Sequence, residues 1–194
     1  MKSNLILILS AVLLLTGCRK SDFEIISGGN NIVDDGAGTG TVTWTKDKEY
    51  VIKGFVFVND GQILTIESGT VVRFAAGEGE NASALIVSRG GKIIAEGTAD
   101  EPIIFTAESD DLILSVEKEK RGLWGGLIIL GNDPINLRGG DAVIEGIPFS
   151  EPRSVFGGPD ENDDSGVLKY VSIRHGGTNI GDGNEINGLT LGGV

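Results

Sequence analysis

The segment "ALIVSRGGKIIAEGTADEPIIF", Ala84 to Phe105, runs through an apolar stretch, a glycine pair, an apolar stretch, Gly-Thr, a polar turn and a third apolar stretch. The preceding segment "VFVNDGQILTIESGTVVRF", Val56 to Phe74, repeats that order. Aligned, Gly61 answers to Gly91, and Ile63-Leu64 answers to Lys92-Ile93 or to Ile93-Ile94, depending on the gap. Glu67-Ser68-Gly69-Thr70 then answers to Glu96-Gly97-Thr98, and Val71-Val72 to Ile103-Ile104. More degenerate copies start at Trp124 ("WGGLIILGNDPIN"), Ser165 ("SGVLKYVSIRHGG") and Ile186 ("INGLTLGGV"). A repeat this short cannot bury its apolar face alone, so its copies must stack into a shared core.

The repeating strands are short, rich in Val and Ile, and in places apolar on both parities, as at "GLIIL". Continuous apolar runs suit parallel strands packed inside and covered outside, whereas hairpin sheets with one wet face alternate more cleanly. The connections are too short for helical crossovers. Coiling the chain so that each strand pairs with its equivalent one turn later resolves the conflict. The expected fold is therefore all-β, a right-handed parallel β-helix, or solenoid. A β-sandwich is the alternative, with "NDG" at Asn59-Asp60-Gly61 as its candidate hairpin turn. Composition agrees with a fold of many tight turns: the 194 residues include 31 glycines and 5 prolines, without a collagen-like period.

The N-terminus carries a different message. A short basic start, Met1 to Asn4, precedes "LILILSAVLLL", Leu5 to Leu15, which is too short to span a bilayer and suits a signal-peptide core. Leu15-Thr16-Gly17-Cys18 looks like a bacterial lipobox, with small residues before the cysteine that takes the diacylglyceryl group. The expected division is a lipoprotein signal peptide over 1–17, a flexible tether over 18–43 and β-helix coils over 44–194. Acyl chains such as palmitate would hold Cys18 in the membrane, at about 0.8 kcal/mol per buried CH₂. Cys18 is the only cysteine, so no internal disulfide can form. Within the tether, Ser21-Asp22-Phe23-Glu24 resembles the acidic export signals of lipoproteins displayed on the outer face of the outer membrane, and it equally suits a solvated acidic tether.

Several blocks together carry a wider resemblance: "TWTKDKEYVIKGFVFVNDGQILTIESGTVV", "SALIVSRGGKIIAEGTADEPIIFTA", "GLWGGLIILGNDPIN" and "DDSGVLKYVSIRHGG". From Thr43 to the last residue the chain resembles a family of large Bacteroidota envelope lipoproteins with a parallel β-helix body. The resemblance implies fold and location. It carries over no catalytic residue, and although some relatives bear a transporter label, the one strongly apolar segment here is the signal peptide.

Chemistry then rests on single residues. The formal charge of -12 disfavours nucleic acid as a partner. His175 is the single histidine and lacks a Ser or Cys partner pattern, which suits a strand-end residue better than a catalytic one. Asp160, Asn162 and Asp164 in "DENDDSG" have the alternate spacing of an oxygen-ligand loop, the one suggestion of a cofactor, Ca²⁺. Ser165 and Val171 depart from an EF-hand, so a solvated turn is the competing reading; "GDGNE", Gly181 to Glu185, is equally ambiguous. Trp44, Phe55, Phe57, Trp124 and Tyr170 would offer sugar-stacking faces if outward, and strand-to-strand stacking if inward. "SDDLILSVEKEKRG", Ser109 to Gly122, reads as a loop inserted between coils, with room for a helical turn.

Function is expected to be a membrane-anchored, surface-exposed scaffold for binding or adhesion with polysaccharide as ligand; a polysaccharide lyase or hydrolase is the competing class. The last residues, "NEINGLTLGGV", enter a new coil and stop inside an apolar run. That ending suits the front part of a longer protein, or an open end capped by a partner or a second copy.

Overall fold

The computed structural model describes residues 30–181 and 184–194. The expected signal peptide, the expected lipobox through Cys18 and the Ser21–Glu24 segment lie outside the described residues.

The path runs over three faces. Strand β1 (Asn30–Ile32) belongs to sheet A, β2 (Val42–Trp44) to sheet B, β3 (Tyr50–Ile52) to sheet A and β4 (Phe55–Val58) to sheet C. A full coil follows: β5 (Ile63–Ile66) in B, β6 (Val71–Phe74) in A, β7 (Ala84–Val87) in C. The next coil is β8 (Lys92–Glu96) in B, β9 (Ile103–Ala107) in A and β10 (Leu127–Leu130) in C. A small hairpin, β11 (Ala142–Val143) with β12 (Val155–Phe156), interrupts before β13 (Gly166–Lys169) in B and β14 (Val171–Ile173) in A. A second hairpin, β15 (Asn179–Gly181) with β16 (Asn184–Glu185), precedes β17 (Leu189–Gly192) in C. Every pairing within sheets A, B and C is parallel. The fold is a parallel β-helix, and the β-sandwich is excluded.

Register explains which apolar residues repeat. Trp44, Ile66 and Ala95 stack in one column of sheet B, and Ile52, Phe74 and Ala107 in one column of sheet A. Val58, Val87 and Ile129 form the corresponding column of sheet C. All nine belong to one internal core. Burying a large aliphatic side chain contributes about 1.5–3 kcal/mol, so stacked columns replace the disulfides that a chain with one cysteine cannot make.

Sheet C is apolar on its outer face too. Phe57, Ile86 and Ile128 lie side by side there and pack with Ile147 and Phe156 of the long connection 131–165 and with Ile186. The double-parity apolar run at "GLIIL" is thus buried on both sides, as four fully buried residues in β10 show. The cover is clamped by Arg153, whose guanidinium lies 3.8 Å over the Phe57 ring and 2.7 Å from Asp34.

Four sequence expectations need correction. Residues 30–43 are not tether: β1 pairs with β3, β2 with β5, and the intervening 33–41 segment closes the edge of sheet C, with Thr39 donating to the Phe57 carbonyl. An unpaired β4 edge would otherwise be an open template. Gly61 answers to Gly90 rather than Gly91, since both adopt the left-handed conformation at the same corner (φ 74° and 77°) and the Gly61 N–H donates to the Gly90 carbonyl. Val71 aligns with Ile104, one residue beyond the expected match, because the turn after Glu96 is longer than that after Glu67. Asn59-Asp60-Gly61 turns between sheets C and B, not within a hairpin.

Candidate functional site

The corner between sheets A and C is where the coils differ. Only residues 53–54 join β3 to β4, whereas 75–83, 108–126 and 174–188 occupy the same corner on later coils. Because equivalent corners stack, these three insertions form one protruding edge; β15 packs against the short 3₁₀ turn Gly79–Asn81. Rigid coils beneath and variable loops above is the usual arrangement for a binding site.

Between the second and third insertions lies an open groove of about 690 Å³. One wall is a strap, residues 110–121, which contributes Asp110, Leu112, Leu114 and Val116, then Lys118 and Lys120, with Leu114 and Lys118 strongly exposed. The facing wall is Ile173 to Gly177, with Arg174 and His175, and Glu185 to Gly188. A second depression continues the groove past Arg121, Gly177 and Glu185 toward Glu78. Lys118, Lys120, Arg121 and Arg174 bring positive charge beside an aliphatic strip, with Asp110 and Glu185 lining the same groove and Glu119 3.5 Å from Lys118 Nζ.

The strap holds an unusual backbone. Leu112 and Leu114 adopt left-handed φ values of 69° and 76°, which cost about 1–2 kcal/mol each for side chains with a Cβ. Two carboxylates offset that cost. Asp110 Oδ1 accepts from the Leu112 N–H at 2.9 Å, and Asp111 Oδ1 from the N–H groups of Ile113 and Ser115 at 2.9 and 3.3 Å. The Ser115 hydroxyl and these N–H groups hold the Asp111 carboxyl below its ordinary value. The expected helical turn is absent here, because Asp-capped bends take the backbone donors a helix would use.

Asp110 anchors the strap to sheet A. Arg73 and Thr106 are neighbours on that sheet's outer face, and Arg174, one residue past the Ile173–Phe105 pair, extends the row. Thr106 Oγ1 donates to Asp110 Oδ2 at 2.6 Å, and the Arg73 guanidinium donates to the Asp110 carbonyl. Burial pushes the Asp110 carboxyl up. The Thr106 and Leu112 hydrogen bonds, with His175 and Arg174 nearby, outweigh burial and hold it below the ordinary value. Its folded value being depressed, Asp110 stabilises the strap at neutral pH and loses that contribution only as pH falls through the lowered value.

The opposite wall is fixed from the core. Trp124, fully buried, stacks on Phe74 at 3.8 Å, and its Nε1–H donates to the Arg174 carbonyl at 2.7 Å. The Leu123 N–H donates to the His175 carbonyl. Arg174 Nε donates to Ser172 Oγ at 3.1 Å, which steadies the guanidinium at the groove.

The other sequence candidates fall elsewhere. His175 sits just past the end of β14, and its side chain is a contact between walls. Asp160 Oδ1 accepts from the Asn162 N–H, while Asp164 pairs with Lys92 at 2.7 Å and caps Gly166. Asp160, Asn162 and Asp164 thus occupy a turn whose carboxylates close the backbone or meet a lysine. Among the described residues no three His, Cys, Asp or Glu assemble as a metal site. Of "GDGNE", Gly181 ends β15 and Asn184-Glu185 form β16, its antiparallel partner. Of the aromatics, Trp44 stacks on Tyr50, Trp124 on Phe74, and Phe57 lies under Arg153, while Phe55 is partly buried against the outer cluster of sheet C. Only Tyr170 of the five is strongly exposed. Sequence reasoning identified the 109–122 insertion but not the wall facing it, since Arg174, His175 and their neighbours come from a later coil.

No helix among the described residues is long and apolar enough to cross a membrane. Comparison with curated proteins and with solved structures gives no match. A family model described as a pectate-lyase-like β-helix domain matches residues 36–194, nearly the whole coiled body. With parallel register over all three faces and that match along most of its length, the chain belongs to the pectate-lyase-like β-helix domain family.

Proposed function

We propose that this protein is an outer-membrane lipoprotein, anchored through Cys18 and facing outward, that acts as a non-enzymatic β-helical scaffold for binding or adhesion to acidic glycans. The observation that carries the reading is the open groove of about 690 Å³ lined by Arg174, Lys118, Lys120 and Arg121 on a chain of charge -12, where Gly176, Gly177 and Gly188 add no side chains to the lining. Carboxylate or sulfate groups would meet Arg174, Lys118, Lys120 and Arg121, and sugar faces the aliphatic strip. A second reading, a polysaccharide lyase, draws on the pectate-lyase-like description of the family and on the row of Arg73, Thr106 and Arg174. Incubating the purified mature protein with a panel of acidic polysaccharides, with and without Ca²⁺, separates the two. Retention without cleavage is expected, and new unsaturated ends would establish the lyase.

Anchoring has its own test. Cys18→Ala is expected to release the protein from the detergent phase of membranes and abolish acyl labelling; labelling that persists refutes the lipobox. Replacing Asp22 and Glu24 by Ala should reduce protease accessibility on intact cells while acylation is unchanged. Unaltered accessibility would return those two residues to plain tether.

A further inference from the structure

Both ends of the strap meet one side chain. His175 Nδ1 lies 2.8 Å from the carbonyl oxygen of Lys120, at the strap's far end, and Nε2 lies 3.7 Å from Asp110 Oδ2, at its near end. The two side chains are all but buried, at 6% and 4% exposure. Two acceptors therefore face the two ring nitrogens. A neutral imidazole has one N–H, so either tautomer turns a lone pair toward an oxygen that also offers lone pairs. The imidazolium donates to the Lys120 carbonyl and faces the Asp110 carboxylate as an ion pair at 3.7 Å, beyond hydrogen-bond reach. The backbone presents the ring for this contact in the left-handed conformation (φ 60°), an uncommon one for a residue with a side chain.

We propose that His175 is a positioning residue, a protonation-dependent clasp that draws the strap onto the facing wall of the groove. The regulatory part rests on the reading that the groove holds an acidic glycan: affinity then rises on mild acidification because the wall is placed, beyond the effect of one added charge. Asp110 is the carboxylate facing the ring; Arg174 adjoins it on its own strand end, Arg73 from the sheet holds the Asp110 backbone, and Glu185 completes the charged surroundings together with the strap's basic residues. Asp110 itself stays ionised through this range, its carboxyl being held low.

The chain's single histidine makes the test direct, since its ring nitrogens give the only imidazole signals in a nitrogen-15 NMR spectrum of the mature protein. Across a pH titration, the Leu112 to Lys120 amides should shift with the same midpoint as the ring. In His175→Asn, which tolerates left-handed backbone and does not titrate, those shifts should vanish. Strap amides that ignore the ring in the wild type, or that titrate identically in His175→Asn, overturn the clasp. With a size-defined oligogalacturonate as probe, wild-type affinity should fall at least threefold more than that of His175→Asn from the acid to the neutral end. Should the strap follow the ring while no probe binds at any pH, the clasp stands and the glycan reading falls. Should the probe bind with the same pH profile in both proteins, and the strap not move, the clasp falls and the glycan reading stands.

Discussion

Trp124→Ala is expected to lower the unfolding free energy by about 3–5 kcal/mol, the range for removing a large aromatic from a core. Trp124 is fully buried, and its ring stacks at 3.8 Å on Phe74, which in turn packs against Phe105. The variant also leaves the Arg174 carbonyl without the indole N–H that binds it at 2.7 Å. Urea unfolding should show the loss directly, and Trp124→Phe should recover much of the packing but not the hydrogen bond. The two variants thus separate core filling from support of the groove wall, because Trp124→Phe should still misplace Arg174 and weaken binding. A loss below about 1 kcal/mol for the alanine variant would place the indole outside a well-packed core.

Arg153→Ala should cost about 3 kcal/mol, the low end for removing one partner of a buried ion pair. Its guanidinium joins the 131–165 cover to the first coil: it meets Asp34 at 2.7 Å, Asn59 at 3.2 Å and both Glu151 oxygens, while lying on Phe57. Asp34, only 1% exposed, would be left with an uncompensated charge. Three N–H donors, from Gly36, Gly38 and Phe57, still reach its carboxylate, which is why the low end applies. The Glu151 carboxyl, held low chiefly by its hydrogen bond to Arg153, should rise toward its ordinary value in the variant. Adding Asp34→Asn to Arg153→Ala should restore only part of the stability: the charge at Asp34 is removed, but the position of Oδ2 can no longer accept from the Phe57 N–H. Limited proteolysis provides the second readout: cleavage should begin within 131–165 in Arg153→Ala and be reduced in the double variant. Equal stability of wild type and Arg153→Ala would show that the cover is held by its apolar contacts alone.

The rhythm of short Val- and Ile-rich strands was sufficient to read a stacked parallel fold, because every coil repeats the same inward column, as Trp44, Ile66 and Ala95 do. The start of the coils was not legible. β1 and β2 are three residues each, and much of what they present is polar or exposed, including Asn30, Asn31, Val42 and Thr43; their pairing is decided by Tyr50–Ile52 and Leu64–Ile66 further along the chain. The run "GLIIL" announced that something covers sheet C, but nothing local to Arg153 points to Asp34, which lies 119 positions away. The same separation hides the groove. The loop 109–122 was readable as an insertion from its composition, yet its partner wall is brought to it only by stacking, and His175 gains its two contacts from Asp110 and Lys120 on the coil below. Acidic turns are ambiguous in sequence: alternate Asp and Asn suit a calcium loop and an Asx-capped turn, and at Asp160 and Asp164 the oxygens close backbone N–H groups and meet Lys92.

The central claim is that the corner groove binds acidic glycan through its basic wall without cutting it. Its most direct test is calorimetric titration of a Cys18→Ser mature protein with oligogalacturonate at low salt, beside a Lys118→Glu/Lys120→Glu/Arg121→Glu variant whose urea stability is shown to be unchanged. These side chains line the groove from an inserted strap outside the coil core, so the fold should tolerate their replacement. The account predicts saturable binding that weakens with salt, a loss of about tenfold or more in the variant, equal to roughly 1.4 kcal/mol, and no unsaturated ends in the recovered sugar. Affinity that is the same in both proteins would contradict it.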